Sequence, residues 1–448
     1  MFAVELVKSA KVLCVSVFND SIAARVLPIG VFELVGILIF LGIAVINCIT
    51  AVLGVRWILR RHRNPPRKDA YLPFVSVICC AWNEERVIER KIRNYLSLDY
   101  PRDRFEVIIV DNGSTDRTPE ICQQFVDQGL IKFLRISEHH ELKAPGLDRA
   151  IHELARGEVI VHSDADSVCA RDWIQRIVQP LQDPKVGAVV GAIYCGNAYR
   201  NALAACRGIE DLWQYVGLTA GRYRITGIAP IVGANYAFRR DAWERVGGHG
   251  THSLVEDYEF TIQLLAAGYR TVYEPLAESW QEEVETLTDY FRQRQRWYGG
   301  PLQVHHHYRR ELKIVKRKYP LFMILAAING LLYLPLTYAF LQLIYGITTL
   351  AVHKLLVALL IYALYAATTT YLLVATGYSY LLLHLPTYLF LDHWLFLACG
   401  MLVLLKTALK RKIRWTKVRH FGSPLIIPPR AKVCGKTGQA QETCLANN

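Results

Sequence analysis

None of the eleven cysteines forms a CxxC pair; they are scattered, and Cys48, Cys79, Cys80 and Cys399 lie inside apolar runs. That distribution offers neither a zinc site nor a disulfide framework, so buried free thiols are expected. No GxGxxG and no GxxxxGK[ST] follows any predicted strand, which counts against a dinucleotide-binding fold and a P-loop NTPase. Charge is also sparse, at 20% against 52% hydrophobic residues. The balance is too apolar for a wholly soluble chain and too charged for one wholly inside a membrane. With 448 residues there is room for both parts. The net charge of +13 is concentrated in Arg56–Lys68, Arg309–Lys318 and Lys406–Arg419, each beside an apolar run. This is the pattern of cytoplasmic membrane flanks, and no nucleic-acid partner is expected.

Residues Met1–Pro28 are mildly amphipathic, and the apolar run Val12–Phe18 is too short for a span or a signal h-region. Leu34–Val55 carries no charge and is long enough, as a helix, to cross a bilayer. Arg56, Arg60, Arg61, Arg63, Arg67 and Lys68 follow at once. One such charge at the membrane centre costs ~2.5–3.5 kcal/mol, so this end reads as cytoplasmic and the N-terminus as external. Asn64-Pro65-Pro66 is a linker. The expected division is an N-terminal segment, 1–70, with one transmembrane helix at about 31–57. A cytoplasmic catalytic domain over 71–300 follows, then interfacial and transmembrane helices over 301–420 with two or three spans, and a mobile tail over 421–448.

Strands are expected at Val75–Cys80, Phe105–Val110, Lys132–Ile136, Glu158–His162, Val186–Ile193 and Pro230–Arg239, with helices at Arg86–Leu98, Lys143–Leu154 and Tyr258–Ala267. Near-continuous β-branched runs alternating with helices predict an α/β fold, its mostly parallel sheet covered on both faces. Ligands bind such sheets at the carboxyl ends of the strands, where the polar clusters at Asn83-Glu84-Glu85, Asp111–Asp116 and Ser163–Asp166 fall.

Asp164 and Asp166 stand two apart after a strand, so their carboxylates project to one side and repel unless a cation lies between them. Mg²⁺ or Mn²⁺ held by one or two carboxylates plus substrate phosphates meets that need; a solvated turn is the plainer alternative. Asp257 lies near a helix N-terminus, where it serves as an N-cap or as a general base. Gln293, Arg296 and Trp297, in the stretch Thr288–Gly300, share a helix face at i, i+3 and i+4, with a Gly-Gly break after them. That face either holds a phosphate and stacks a ring, or rests on headgroups as a basic amphipathic helix.

Taken in order, Asn83-Glu84-Glu85, Asp111-Asn112-Gly113-Ser114, Lys143 with Gly146-Leu147-Asp148-Arg149, Asp164-Ala165-Asp166, Glu256-Asp257 and Gln293-Arg294-Gln295-Arg296-Trp297 resemble the membrane-bound family 2 glycosyltransferases. The group with cellulose, hyaluronan and poly-N-acetylglucosamine synthases is the nearest likeness, over roughly Phe74–Gly300. The resemblance implies a GT-A fold with a mixed, mostly parallel sheet flanked by transmembrane helices. It further implies a nucleotide-sugar donor, usually a UDP-sugar, a divalent metal (Mg²⁺ or Mn²⁺), and transfer with inversion. Carried over by position, it assigns Ala81, Asn83, Glu84 and Asp111 to the nucleoside with Lys143 beside them, Asp164 to the donor and Asp166 to the metal. Asp257 becomes the base that deprotonates the acceptor, Gln293 and Arg296 serve the diphosphate, and Trp297 lines the acceptor site. Asn112 stands where a second Asp is frequent and Val255 where Thr is frequent, which blurs the subfamily.

Beyond Lys318 the runs Leu321–Val352 and Leu355–Leu383 are uncharged, and Pro386–Leu405 contains Asp392 and His393. Hydropathy reads three spans, but three crossings would leave Lys406–Arg419 outside, against the positive-inside rule. Pro335 suggests that the first run lies at the interface or re-enters, giving two crossings. Asp392-His393 either line a polar path or begin a span near the headgroups. The favoured function is a polysaccharide synthase in a multi-pass cell membrane, with a growing glycan and membrane lipids as partners. The alternatives are single-sugar transfer to a lipid-linked acceptor (polyprenyl phosphate, ceramide or diacylglycerol) and a non-catalytic sensor or scaffold.

Overall fold

The structure is a computed structural model that describes residues 30–137, 139, 142–409, 411 and 416–428. The readings at Met1–Pro28, and around Lys412, fall outside the described residues.

The α/β expectation holds. Among the described residues, eight strands form one mixed, mostly parallel sheet in the order β3-β2-β1-β4-β7-β6-β8-β5. They are β1 Val75–Ala81, β2 Phe105–Asn112, β3 Lys132–Ile136, β4 Val159–Ser163, β5 Val168–Cys169, β6 Val186–Cys195, β7 Asn235–Arg239 and β8 Arg270–Gln281. β1, β2, β3 and β4 run parallel, and β1, β2 and β4 are buried along almost their whole length, as a covered sheet requires. β7 is antiparallel to both β4 and β6, and β8 returns parallel to β6. The consequence is geometric. The ends of β1, β2, β4, β6 and β8, together with the start of β7, all emerge at one edge, with Ser163 opposite Asn235 and Ala81 opposite Asp111.

The strand expected over Pro230–Arg239 forms only from Asn235; Pro230–Ala234 is loop, because Gly233 must pass close to Lys143 and Asp257. β8 is a strand that the sequence reading omitted. The layer below the sheet and the layer above it have separate apolar cores, one around Ile92, Tyr95 and Trp173, the other around Leu147, Trp243 and Phe260.

Among the described residues, four stretches are long and apolar enough to cross a membrane: Val31–Arg63 (α1), Pro320–Thr349, Val352–Thr376 and Ser379–Ala408. The second is not one helix. It divides at Leu331–Tyr333 into Pro320–Gly330 and Leu334–Thr349, and Pro335 sits in the first turn of the latter, where its missing N–H costs nothing. Leu38, Ile39, Leu359, Leu360, Leu404 and Leu405 all face outward, a surface that suits lipid and not water.

Between the sheet and these helices lies a continuous helical rod, Ala202–Asp211 (α2), a π-helical stretch Leu212–Leu218 and Thr219–Thr226 (α3). α1 crosses it at backbone contact: a Cβ at Gly54 would stand 2.1 Å from the Gly217 carbonyl oxygen, and one at Gly221 1.9 Å from that of Thr50. Small residues are what permit that approach. One core, including Ala51, Val55, Val190, Trp213, Tyr365 and Leu373, therefore unites the apolar helices with the sheet. All eight described cysteines are free thiols, and seven are buried, as expected.

Candidate functional site

A cleft of about 360 Å³ opens at the sheet edge where those strand ends converge. Ala81, Glu84, Lys143, Asp164, Asp166, Asp257, Gln293, Arg296 and Trp297 all line it. Asn83 and Asp111, also assigned to the nucleoside, do not. Asn83 adopts φ +56° so that its Oδ1 accepts from the Thr115 N–H at 2.7 Å. Asp111, fully buried at the end of β2, accepts from the Ser114 N–H at 3.1 Å. Both shape the loop against which Trp82 stacks face to face with His139, ring centroids 3.7 Å apart. That stacked pair forms the apolar wall beside Ala81.

The acidic group after β4 is more asymmetric than its i, i+2 spacing suggests. Lys143 Nζ donates to Asp164 Oδ1 at 3.0 Å and to the Gly233 carbonyl at 3.1 Å, and lies 3.3 Å from Glu256 Oε1. Lys143 thus stands at the centre of the acidic cluster, and its contacts are with these groups. Burial by itself would raise the Asp164 pKa, but Lys143 and His162, whose Nε2 is 3.3 Å away, hold it well below the usual carboxylate range. For Asp166 burial dominates and, with the nearby charges of Asp164, Glu84 and Glu282, pushes it up to about 6, opposed by His420 at 3.5 Å.

Asp257 is not the N-cap of its helix, Glu256–Ala266 (α4); Val255 occupies that position. Asp257 Oδ2 accepts from the Gly233 N–H at 2.6 Å and Oδ1 from the Tyr258 N–H at 2.8 Å. Burial and the adjacent Glu256 push its pKa up to about 6 against the pull of Lys143.

The helix carrying the Gln-x-x-Arg-Trp stretch runs without interruption over Leu287–His307 (α5), so the Gly-Gly pair is no break. Gly300 packs against Val255, where a Cβ would come within 2.5 Å of Val255 Cγ2, and close packing is the reason for glycine there. Gln293, Arg296 and Trp297 do share the cleft face. Gln293 Oε1 has no protein partner among the described residues, and the Trp297 indole meets Tyr215 of the π-helical stretch edge-on at 6.4 Å.

Arg294 points the other way. It is buried, its guanidinium 4.1 Å above the Trp297 ring, and it pairs with Glu210. Glu210 also pairs with Arg207, and Arg207 with Asp392. Asp392 therefore terminates a buried chain of charges that reaches the cleft helix. A lone Asp beside a buried Arg is satisfied by pairing.

The sequence reading also missed the residues that cover the cleft. Residues 416–428 lie over the sheet edge, and the described part of the tail expected to be mobile, 421–428, is held there by hydrogen bonds. Phe421 and Ser423 donate backbone N–H groups to the Glu282 carboxylate at 2.5 and 3.1 Å, and Arg90 donates to the Ser423 carbonyl at 2.7 Å. Ile426 donates to the Gly196 carbonyl at 2.8 Å, continuing the docked path. This segment brings Lys417 Nζ to Glu84 at 2.8 Å and His420 to Glu84 at 2.9 Å. Burial would lower the His420 pKa, but Glu84 and Asp166 push it up to about 10, so it is cationic at neutral pH. Basic residues at 417 and 420 were visible in the sequence; the fold-back that places them against Glu84 was not.

A divalent cation fits Asp166. This carboxylate is crowded by like charges and presents hard oxygen ligands, and no cluster of three His, Cys, Asp or Glu side chains suited to metal occurs among the described residues. One or two carboxylates with substrate phosphates and water completing the shell is the habit of Mg²⁺ and Mn²⁺, and unlike that of structural zinc.

A mixed sheet of this order, with an acidic loop after its fourth strand and a Gln-x-x-Arg-Trp helix across the edge, is a GT-A-like fold. Residues 73–300, just over half of the chain, match the family described as glycosyltransferase like family 2, and the chain belongs to that family. It is 35% identical over 254 residues to a probable glycosyltransferase, YdaM, of Bacillus subtilis (strain 168), covering 55% of this chain and 60% of the relative. It is 30% identical over 302 residues to the beta-monoglucosyldiacylglycerol synthase of Trichormus variabilis, covering 66% and 61%. To the poly-beta-1,6-N-acetyl-D-glucosamine synthase of Staphylococcus aureus it is 29% identical over 248 residues, covering 54% and 58%. The chain thus spans about 60% of the length of the curated relatives it matches. The mannosyltransferase PcManGT of Pyrobaculum calidifontis, solved with GDP-Man and Mn²⁺, superposes with a TM-score of 0.51 at 22% identity over 83% of this chain and 100% of its own, a likeness of fold.

Proposed function

We propose that the protein transfers a glycosyl unit, with inversion, from a nucleoside-diphosphate sugar to an acceptor hydroxyl at a membrane. The observation that carries the proposal is the meeting, in one cleft, of Asp164 and Asp166 with Asp257 and with Arg296 and Trp297, stretches far apart in the chain. In this reading the Ala81–Trp82 wall receives the base, and UDP is the nucleotide favoured by the sequence resemblance. Asp166 would hold Mg²⁺ or Mn²⁺, which supplies charge neutralisation for the diphosphate. Arg296 meets the same diphosphate as negative charge grows on it. Asp257 Oδ takes the acceptor proton as the acceptor oxygen bonds to the anomeric carbon and the bond to the diphosphate breaks on the opposite face. Gln293 joins Arg296 on the donor side, and Trp297 lines the acceptor site, its indole offering a stacking face for a sugar ring.

The acceptor is proposed to be a growing polysaccharide, supported by the relationship to a poly-N-acetylglucosamine synthase. A lipid acceptor is the second reading, favoured by the longer match to a diacylglycerol glucosyltransferase. We place the catalytic layer on the cytoplasmic side, because the basic block at the end of α1 borders it. The test is a screen of labelled UDP- and GDP-sugars with purified membranes, with and without chelator, followed by sizing of the product. A long polymer supports the first reading and a single-sugar lipid the second; no transfer from any donor overturns both. Cysteine labelling near Arg61 from outside the cell would overturn the orientation.

A further inference from the structure

α1 changes character after Val55, and its arginines divide between two faces. Arg61 pairs with Glu274 at 2.5 Å, and the neighbouring His62 lies 3.5 Å from Glu278, so the catalytic layer neutralises that side. Arg56, Arg60 and Arg63 stand at i, i+4 and i+7 on the other side. All three are exposed, and none has a carboxylate partner among the described residues. The backbone contact of Gly54 and Gly221 fixes α3 against α1 and brings Arg224 to the same place. The result is a groove of about 480 Å³ lined by Leu53, Arg56, Trp57, Arg60, Arg224 and Ile225.

The groove has two chemical halves. Three guanidinium groups and no acid form one; Leu53 and Ile225, each 40% exposed, form the other with the Trp57 ring. The charges begin where the uncharged run Leu34–Val55 ends, which sets them at headgroup level if α1 spans a bilayer. Guanidinium forks match phosphate oxygens, and basic pockets flanking membrane helices suit anionic lipid headgroups. A soluble phosphate would leave the exposed aliphatic half unused. We propose that this groove is a binding site for an anionic phospholipid of the surrounding leaflet, its phosphate held by Arg56, Arg60 and Arg224 and its acyl chain laid over Leu53 and Ile225. The inference rests on α1 lying in a membrane and not on the glycosyl-transfer reading.

The test needs no turnover. The full chain is reconstituted in phosphatidylcholine vesicles containing trace spin-labelled phosphatidylglycerol or spin-labelled phosphatidylcholine, and the motionally restricted fraction is measured by electron paramagnetic resonance. The wild type should retain phosphatidylglycerol in preference. Arg60→Gln and Arg224→Gln should each weaken the preference on the order of fivefold; both side chains are exposed, so both variants should remain folded, checked by size exclusion. Arg63→Gln, on the same helix face but outside the groove, should leave it unchanged. The proposal is overturned by an absence of preference in the wild type, or by a loss in Arg63→Gln equal to that in Arg60→Gln, which would mean diffuse surface charge. Displacement of the labelled lipid by inorganic phosphate, but not by chloride at equal ionic strength, would assign the site to a soluble anion and overturn it as well.

Discussion

Replacing Asp257 by Asn separates the catalytic from the structural part of this residue. Its two oxygens accept from the Gly233 and Tyr258 N–H groups at 2.6 and 2.8 Å. An amide supplies one acceptor and sets an NH₂ against the other donor, at a cost of about 1–3 kcal/mol for the unsatisfied group. The variant should therefore fold with a modest loss of stability and bind donor and metal. Turnover should fall about 10²–10⁴-fold, the usual contribution of a positioned base. The pH profile gives an independent reading. A base must be ionised to act, so wild-type kcat/KM should rise as pH passes through about 6, the value to which burial and Glu256 push this carboxyl. Glu256→Gln removes one of the charges holding it up and should move the acid limb to lower pH. In Asp257→Asn the limb should vanish together with the activity. The assay is initial-rate transfer from labelled donor, with folding checked by size exclusion and donor binding by calorimetry. Near-normal turnover in a folded, donor-binding Asp257→Asn protein would refute the assignment and leave the residue as an anchor for the Gly233 loop.

Asp166→Ala should abolish Mn²⁺-dependent donor binding in calorimetry while leaving the fold intact; affinity indifferent to chelator in the wild type would remove the metal from the scheme. Asp392→Ala leaves Arg207 buried with one anionic partner fewer, and should lower stability by about 3–5 kcal/mol, read as a drop in Tm in detergent; an unchanged Tm would show that the charge chain is not closed as described. Gly221→Ala gains about 1 kcal/mol of helix propensity, yet its Cβ would meet the Thr50 carbonyl at 1.9 Å. Backbone cannot rotate aside, so a net loss of stability and loosening of α1 from the rod should appear in thermal unfolding; a higher Tm would refute the close crossing.

Local patterning carries a long way in this chain. Lys132–Ile136 is a strand with the predicted bounds, and the strands expected from Val75, Phe105, Glu158 and Val186 all form because their apolar runs have no other place than the middle of a covered sheet. The edge at which their polar ends collect follows from that parallel order, so most of the cleft residues were legible one motif at a time. What tertiary structure alone decided involves partners that no local period connects. Lys143 faces Asp164 and Glu256, a pairing across the end of β4 and the start of α4. Lys417 and His420 reach Glu84 because a segment more than three hundred residues later docks on Glu282. Gly299-Gly300 reads as a break when only propensity is weighed, but Val255 needs the space that Gly300 leaves, and packing overrides the local preference. Asp392, ambiguous in an apolar run, is resolved by Arg207, since a charge taken out of water is tolerated only where the fold brings it an opposite one.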